Sequence, residues 1–237
     1  MTSQLFSLGF DAHDPILLAR FWGGVLRRQI SADGTSLAPN DATEFQIHFL
    51  PTDAKKSGPN QAHFDLTSAS LDDQRQTVER ALALGGNHID IGQLPEEEHV
   101  VLADPEGNEF CVIEPGNNFL ADTGVIGALS SDGSQAVGYF WSKALGWPLV
   151  WDQDEETAIQ SPSGGSKITW GGPPVREKIG KNRWHFDLAP PVNVDLHTEV
   201  DRLVALGAAR LDDRQCEPGA VSMSDPDGNE FCVLTPL

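Results

Sequence analysis

The chain has 237 residues, 16 of them Lys or Arg against 35 Asp or Glu, a formal net charge of −19 at pH 7. That field repels phosphate backbones and anionic lipid, so neither nucleic acid nor a membrane is an expected partner. A hydrophobic fraction of 39% with 22% charged residues is that of a folded globular protein. No apolar run approaches the roughly 18 residues of a membrane span, and the first residues lack the basic start and apolar core of a leader, so a cytoplasmic location is expected.

Ser7–Ala12 alternates with period two and reads as a strand. Asp14-Pro15 then supplies an N-cap and a first-turn proline, and Leu17, Leu18, Phe21, Trp22, Val25 and Leu26 recur at helical spacing, predicting a helix over Pro15–Leu26. Short strands are predicted near Gln29–Ala32 and over Glu44–Leu50, followed by a polar loop at Lys55–Asn60. Gln61–Thr67 is again a strand. A second helix opens at Ser70, carries Leu71, Val78 and Leu82, and stops at Gly85-Gly86. Strands near Asn87–Ile91 and His99–Leu102 lead into Asp104-Pro105-Glu106-Gly107-Asn108, whose Pro, Gly and Asn are turn chemistry, and then into Phe110–Ile113.

That hairpin recurs. Asp104–Val112 and Asp225–Val233 match at eight of nine positions, 121 residues apart. Tyr139-Phe140-Trp141 answers Arg20-Phe21-Trp22, His185–Leu188 answers His63–Leu66, and Val200–Gly207 answers Val78–Gly85. A repeat of this length marks a duplicated unit. The predicted organisation is α+β: two tandem domains, 1–117 and 118–237, each of paired βαβββ modules forming a cupped mixed sheet with helices outside. Pro115–Gly124 reads as the linker.

Strand residues alternate faces, so each strand divides into two columns. Phe6, Leu8, Phe10, Phe45, Ile47, Phe49, Phe64, Leu66, Phe110 and Val112 form the helix-facing column of the first half. The opposite column contains Asp11, Gln46, His48, His63, Asp65, Glu109 and Cys111, a titratable set rather than the Lys, Glu and Ser of an open surface. A cleft is the reading this favours. The second half offers Trp170, placed where His48 stands in the first, with His185, Asp187, Glu230 and Cys232. Lys167 and Thr169 break the alternation there. Cys111 and Cys232 are repeat equivalents and Cys216 has no counterpart, so reduced thiols and no disulfide are expected.

The paired modules, the aromatic dipeptide of the first helix, Asn182–Leu188, Leu206-Gly207-Ala208 and the Asp-Pro-(Glu/Asp)-Gly-Asn-Glu-Phe-Cys hairpin together resemble the vicinal oxygen chelate superfamily. The closest likeness is to its glyoxalase-like branch, with bleomycin-resistance proteins and extradiol dioxygenases as relatives. The resemblance covers both halves. It implies, for metal-dependent members, a divalent ion held by a His on the first strand, a His or Glu on the third-module strand and a Glu on the last. Here the middle position is His63 or His185, the first falls at Ser7 or Ile126, and the last at Cys111 or Cys232. The set is therefore incomplete, with His48, His63 and Cys111 as weak metal candidates; no cofactor is expected, and a divalent metal is the one the resemblance leaves open.

The sequence reading is a small-molecule-binding, glyoxalase-like protein of the antibiotic- or metabolite-binding type, either a monomer with pseudo-dimeric halves or a homodimer. Its alternative is a lyase, isomerase or dioxygenase acting in the first half through His48, His63, Asp65 and Glu109.

Overall fold

The computed structural model describes residues 2–94, 97–212 and 216–235. The first half runs β1 (Gln4–Ala12), α1 (Pro15–Leu26), β2 (Ser36–Leu37), β3 (Gln46–Pro51), β4 (Ala62–Leu66), α2 (Leu71–Ala83), β5 (Asn87–His88), β6 (Val100–Ala103) and β7 (Glu109–Val112). The second runs β8 (Ile126–Ser131), α3 (Gln135–Leu145), β9 (Leu149–Gln153), β10 (Glu156–Gln160), β11 (Lys167–Trp170), β12 (Trp184–Ala189), α4 (Leu196–Leu206), β13 (Ala209–Arg210), β14 (Val221–Ser224) and β15 (Glu230–Val233). The tandem α+β organisation is as predicted.

Local chemistry explains the helix ends. The Asp14 carboxylate accepts from the Leu17 N–H at 3.0 Å with Pro15 in the first turn, and Ser70 Oγ accepts from Asp73 N–H at 3.1 Å. Asp195 caps α4 in the same way. The strand predicted near Gln29–Ala32 shrinks to a single bridge, Ile30 to Leu37. The corresponding place in the second half holds the β9–β10 hairpin, which the periodicity of the first half gave no reason to expect.

Strand pairing crosses the halves. The seven-stranded sheet has the order β13-β14-β15-β12-β1-β3-β2, and the eight-stranded sheet β5-β6-β7-β4-β8-β11-β10-β9. Each sheet therefore takes one module from each half. The seams are antiparallel: Gly9 lies opposite His185 where β1 meets β12, and His63 lies opposite Ser130 where β4 meets β8. The helix-facing columns of both sheets join one hydrophobic core, including Leu8, Phe10, Phe64, Leu129, Phe186 and Phe231. The polar columns face away from it.

The repeated hairpin anchors this core. Trp22 of α1 packs edge-on against Phe64 and Phe110, ring centroids 5.2 and 4.9 Å away, and Trp141 of α3 packs against Phe186 and Phe231 at 5.0 and 5.1 Å. Each indole N–H donates to the hairpin aspartate, Trp22 to Asp104 and Trp141 to Asp225, both at 3.1 Å. Gly107 and Gly228 complete the turns at φ of +82° and +83°, a conformation that disfavours side chains.

Burial pushes the Asp225 carboxyl up to about 6 from the ordinary 3.8, despite its hydrogen bonds from Asn229 and Trp141, and burial raises Asp104 as well. A raised carboxyl favours the protonated folded state. Its stabilising contribution is complete below about pH 4 and is lost as pH rises through 6, a change of about 3 kcal/mol. The unfolding free energy of the native chain is thus expected to fall relative to that of Asp225→Asn between pH 4 and pH 7. Urea unfolding of the two proteins across that window checks it; parallel curves would refute the assignment.

Candidate functional site

Among the described residues each sheet carries a hollow on its polar face. Because pairing crosses the halves, the residues of the two cups group differently from the columns read within each half.

The larger hollow, about 700 Å³, lies on the eight-stranded sheet. Its floor is built from β4, β8 and β11, which place His63, Ser130 and Thr169 in one row across the sheet. His63 Nε2 lies 3.3 Å from Asp65 Oδ1, and Ser130 Oγ donates to the other Asp65 oxygen. Cys111, opposite Asp65 on β7, is buried, and desolvation together with the Asp65 charge pushes its thiol well above the ordinary range. Phe119 and Trp151 form an edge-to-face pair at 6.1 Å on the wall, and the Lys167 ammonium sits 4.6 Å from the Phe119 ring centroid while donating to the Phe119 carbonyl. Burial lowers the Lys167 pKa. Arg176 is held at the rim by Asp132 at 2.6 Å.

The smaller hollow, about 410 Å³, lies on the seven-stranded sheet. His185 and His48 flank Gly9, on β12 and β3 respectively. A Cβ on residue 9 would stand 2.5 Å from His185 Cε1 and Nε2, so the ring occupies the space that glycine leaves. His185 is 4% exposed, its Nε2 is 3.3 Å from Asp187 Oδ1, and its Nδ1 has no hydrogen-bond partner. Ser7 Oγ donates to Asp187 at 2.7 Å, Lys181 pairs with Asp11 at 2.6 Å, and His48 Nδ1 meets Ser36 Oγ at 2.9 Å. Gln46 lies beside Ser7 on the same face.

Four expectations are corrected. His48 does not join His63 and Cys111, because β3 belongs to one sheet and β4 and β7 to the other. Trp170 is mainly a core residue: Ser130 aligns with Thr169 as Gly9 aligns with His48, so Thr169 holds the place of His48, while Trp170, 2% exposed, packs beside Gly133 and only borders the larger hollow. Lys167 and Thr169 accordingly face the cup and do not break the alternation. Glu109 and Glu230 are committed to Lys56 and Lys178, each at 2.5 Å, and to the backbone N–H groups of Asn60 and Asn182, where they pin the two crossover loops. Cys216 and Cys232 form a disulfide, which the missing repeat partner of Cys216 concealed; Cys216 lies just ahead of β14, where Ser222 faces Cys232.

Phe119, Trp151, Lys167 and Thr169 line or flank the larger hollow without having been singled out as ligand residues. Phe119 lies in the segment read as linker, and Trp151 on the hairpin that has no full counterpart. The alternating Leu149-Val150-Trp151 was the available signal for the latter.

The divalent ion implied by the resemblance can be tested against these donors. His63, Asp65 and Cys111 offer ligand atoms all within 4.8 Å of one another, as do His185, Asp187 and Cys232. Imidazole, carboxylate and thiolate together suit a soft ion such as zinc rather than magnesium. The first triad fits such an ion. The second does not while the Cys232 sulfur is bonded to Cys216.

The glyoxalase-like domain model matches the chain twice, at residues 7–113 and 128–234. The chain therefore belongs to the glyoxalase-like domain family. Glyoxalase I from Zea mays superimposes with a TM-score of 0.64 at 15% identity, over 99% of this chain and 92% of that one. A Bacillus subtilis protein provisionally called a dioxygenase gives 0.58 at 14% identity, over 98% and 84%. A glyoxalase/bleomycin resistance protein/dioxygenase family enzyme from Burkholderia phytofirmans PsJN covers 46% of this chain with 96% of its own at 18% identity and a TM-score of 0.38. No curated protein sequence matches. Likeness at this level is one of fold, and fold does not fix chemistry. Among the described residues no helix is long and apolar enough to cross a membrane.

Proposed function

We propose that this protein binds a small organic molecule in the hollow of the eight-stranded sheet, a neutral or cationic aromatic compound in keeping with the net charge of −19. The observation that carries the reading is the construction of that hollow. It combines about 700 Å³ with an apolar wall of Phe119 and Trp151 and a floor of few polar groups, His63, Ser130 and Thr169, and such a combination is typical of small-molecule sites. Trp151 is 38% exposed and offers its ring for stacking.

A second reading, an enzyme of the lyase or dioxygenase type, is favoured by the His63–Asp65–Cys111 triad on the same floor. A soft metal held by these three side chains would supply Lewis-acid polarisation of a bound oxygen. His63 and Asp65 would then orient the bound molecule, and Phe119 and Trp151 would exclude water from it.

Thermal unfolding with indole, quinoline and benzyltrimethylammonium as probes tests the first reading. At a probe concentration 100 times the dissociation constant, stabilisation reaches about 2.7 kcal/mol. A saturable rise in melting temperature is expected in the native chain, with a loss of at least tenfold in affinity in Trp151→Ala. Equal shifts in both proteins, or none in either, would count against this hollow as the site. Zinc retained stoichiometrically by the native chain and lost in His63→Ala would favour the second reading.

A further inference from the structure

We infer that the cleft between the two crossover loops, residues 52–61 and 173–183, is a binding site for a small doubly charged oxyanion of the phosphate or dicarboxylate class.

The two loops are built to one plan. Lys56-Ser57-Gly58-Pro59-Asn60 answers Lys178-Ile179-Gly180-Lys181-Asn182 at an offset of 122 residues. In each, the first lysine donates to the glycine carbonyl two residues on and to the hairpin glutamate, and the asparagine side chain donates to the hairpin asparagine. These shared contacts tie each loop to its hairpin. Four further cations stand where the copies differ. Lys181 replaces Pro59 of the first loop, Arg183 replaces Gln61 and Arg176 replaces Ala54, while Lys55 stands where the second loop has Glu177. All four line one cleft of about 160 Å³ together with Lys56, so the divergence between the copies has gathered charge at a single place.

The electrostatics there favour an anion. The wall sets five cations against two carboxylates, Asp11 and Glu177, and Asp11 is matched by Lys181 at 2.6 Å. Glu106, Glu109 and Asp132 pair with Arg183, Lys56 and Arg176 at 3.1, 2.5 and 2.6 Å, but none of these three acids lines the cleft. They fix the cations from outside it. Lys55 is exposed and forms no ion pair among the described residues. The Arg183 side chain is only 9% exposed, and of its five N–H donors one meets Glu106 and one the Ala54 carbonyl at 3.2 Å. The backbone N–H groups of Lys55, Lys56, Ser57 and Gly58 donate to no protein acceptor among the described residues. Spare donors beside a preset guanidinium are what recognises a phosphate or a carboxylate. A cleft of one sign concentrates its field locally, so it attracts a small anion on a chain whose net charge is −19.

The cleft borders both hollows without belonging to either. It shares Gln61 and Arg176 with the larger and Asp11, Thr52 and Lys181 with the smaller, while His48, His63 and His185 take no part in it.

The test titrates phosphate and malonate into the full chain by calorimetry, above neutral pH where both carry two charges, with ionic strength held constant by sodium chloride. The two probes stand for a phosphoryl group and a dicarboxylate, and the tighter binder names the source. Saturable binding of one equivalent of at least one probe is expected. Lys55→Gln breaks no ion pair of the protein and should weaken that binding at least fivefold, and Lys55→Glu at least twentyfold. Lys143→Gln removes the same charge from an exposed position of α3 outside the cleft and should change the affinity less than twofold. Circular dichroism confirms that each variant is folded. The inference is overturned if neither probe binds saturably, if Lys55→Glu binds as the native chain does, or if Lys143→Gln loses as much affinity as Lys55→Gln, the mark of unspecific counter-ion attraction. Trp151 does not line this cleft, so Trp151→Ala should bind the anions as the native chain does, and the aromatic-probe result stands apart from this one.

Discussion

Replacement of Trp141 by alanine is expected to lower the unfolding free energy by about 3–5 kcal/mol, the range for truncating a large buried aromatic. Trp141 is 2% exposed and wedged between Phe186 of β12 and Phe231 of β15. Its helix follows β8, a strand of the other sheet, so the indole couples the two sheets as well as filling the core. Truncation also strips Asp225 of the Trp141 N–H donor and leaves the buried carboxylate with fewer partners, a further loss of about 1–3 kcal/mol. Trp141→Phe narrows the comparison, since it keeps one aromatic ring in the wedge and loses the hydrogen bond together with the smaller volume of the second ring. Urea unfolding at constant m-value measures both variants. A loss below about 1 kcal/mol for the alanine variant would show that the indole is not the wedge described.

Gly138→Ala is expected to destabilise the protein, against the sign that helix propensity alone would give. In an open helix alanine is favoured over glycine by about 1 kcal/mol. At this position in α3 an added Cβ would stand 2.0 Å from Thr157 Oγ1 and 2.6 Å from Thr157 Cβ on β10. The second of these is a side-chain root and can yield only if helix and strand separate, so overpacking costing about 1–3 kcal/mol outweighs propensity. β10 carries β9, and β9 carries Trp151. The same substitution should therefore displace the aromatic wall and weaken binding of the aromatic probes severalfold. Calorimetric unfolding and the probe titrations check the two consequences, and a more stable variant with unchanged probe affinity would refute the close approach.

The contrast between the two cups follows from small departures from symmetry. Both floors keep the His–Asp pair and the serine that holds the aspartate. The eight-stranded sheet gains a hairpin and with it Trp151; the seven-stranded sheet keeps His48 and acquires the disulfide. Duplication preserved the scaffold while the walls diverged.

Much was settled by sequence alone. The repeated Asp-Pro-Glu/Asp-Gly-Asn-Glu-Phe-Cys hairpin, the cap at Asp14-Pro15 with its helix over Pro15–Leu26, and the alternation of Phe64, Leu66 and His63, Asp65 are local patterns, encoded within a turn or a few residues of chain. They determined the α+β class, the duplication, the helix-facing columns and the His–Asp pairs. Only the tertiary structure decided which modules share a sheet, because pairing β1 with β12 and β4 with β8 joins residues far apart in the chain and leaves no local signature. That pairing separated His48 from His63. A strand's faces exchange when its register moves by one residue; the halves are offset by 121 residues at His48 and Thr169 but by 122 at His63 and His185, so it is Thr169, and not Trp170, that falls in the row of the cup. Cys216 found Cys232 for the same physical reason: contact across a fold depends on where strands are laid side by side, and periodicity within a strand does not carry that information.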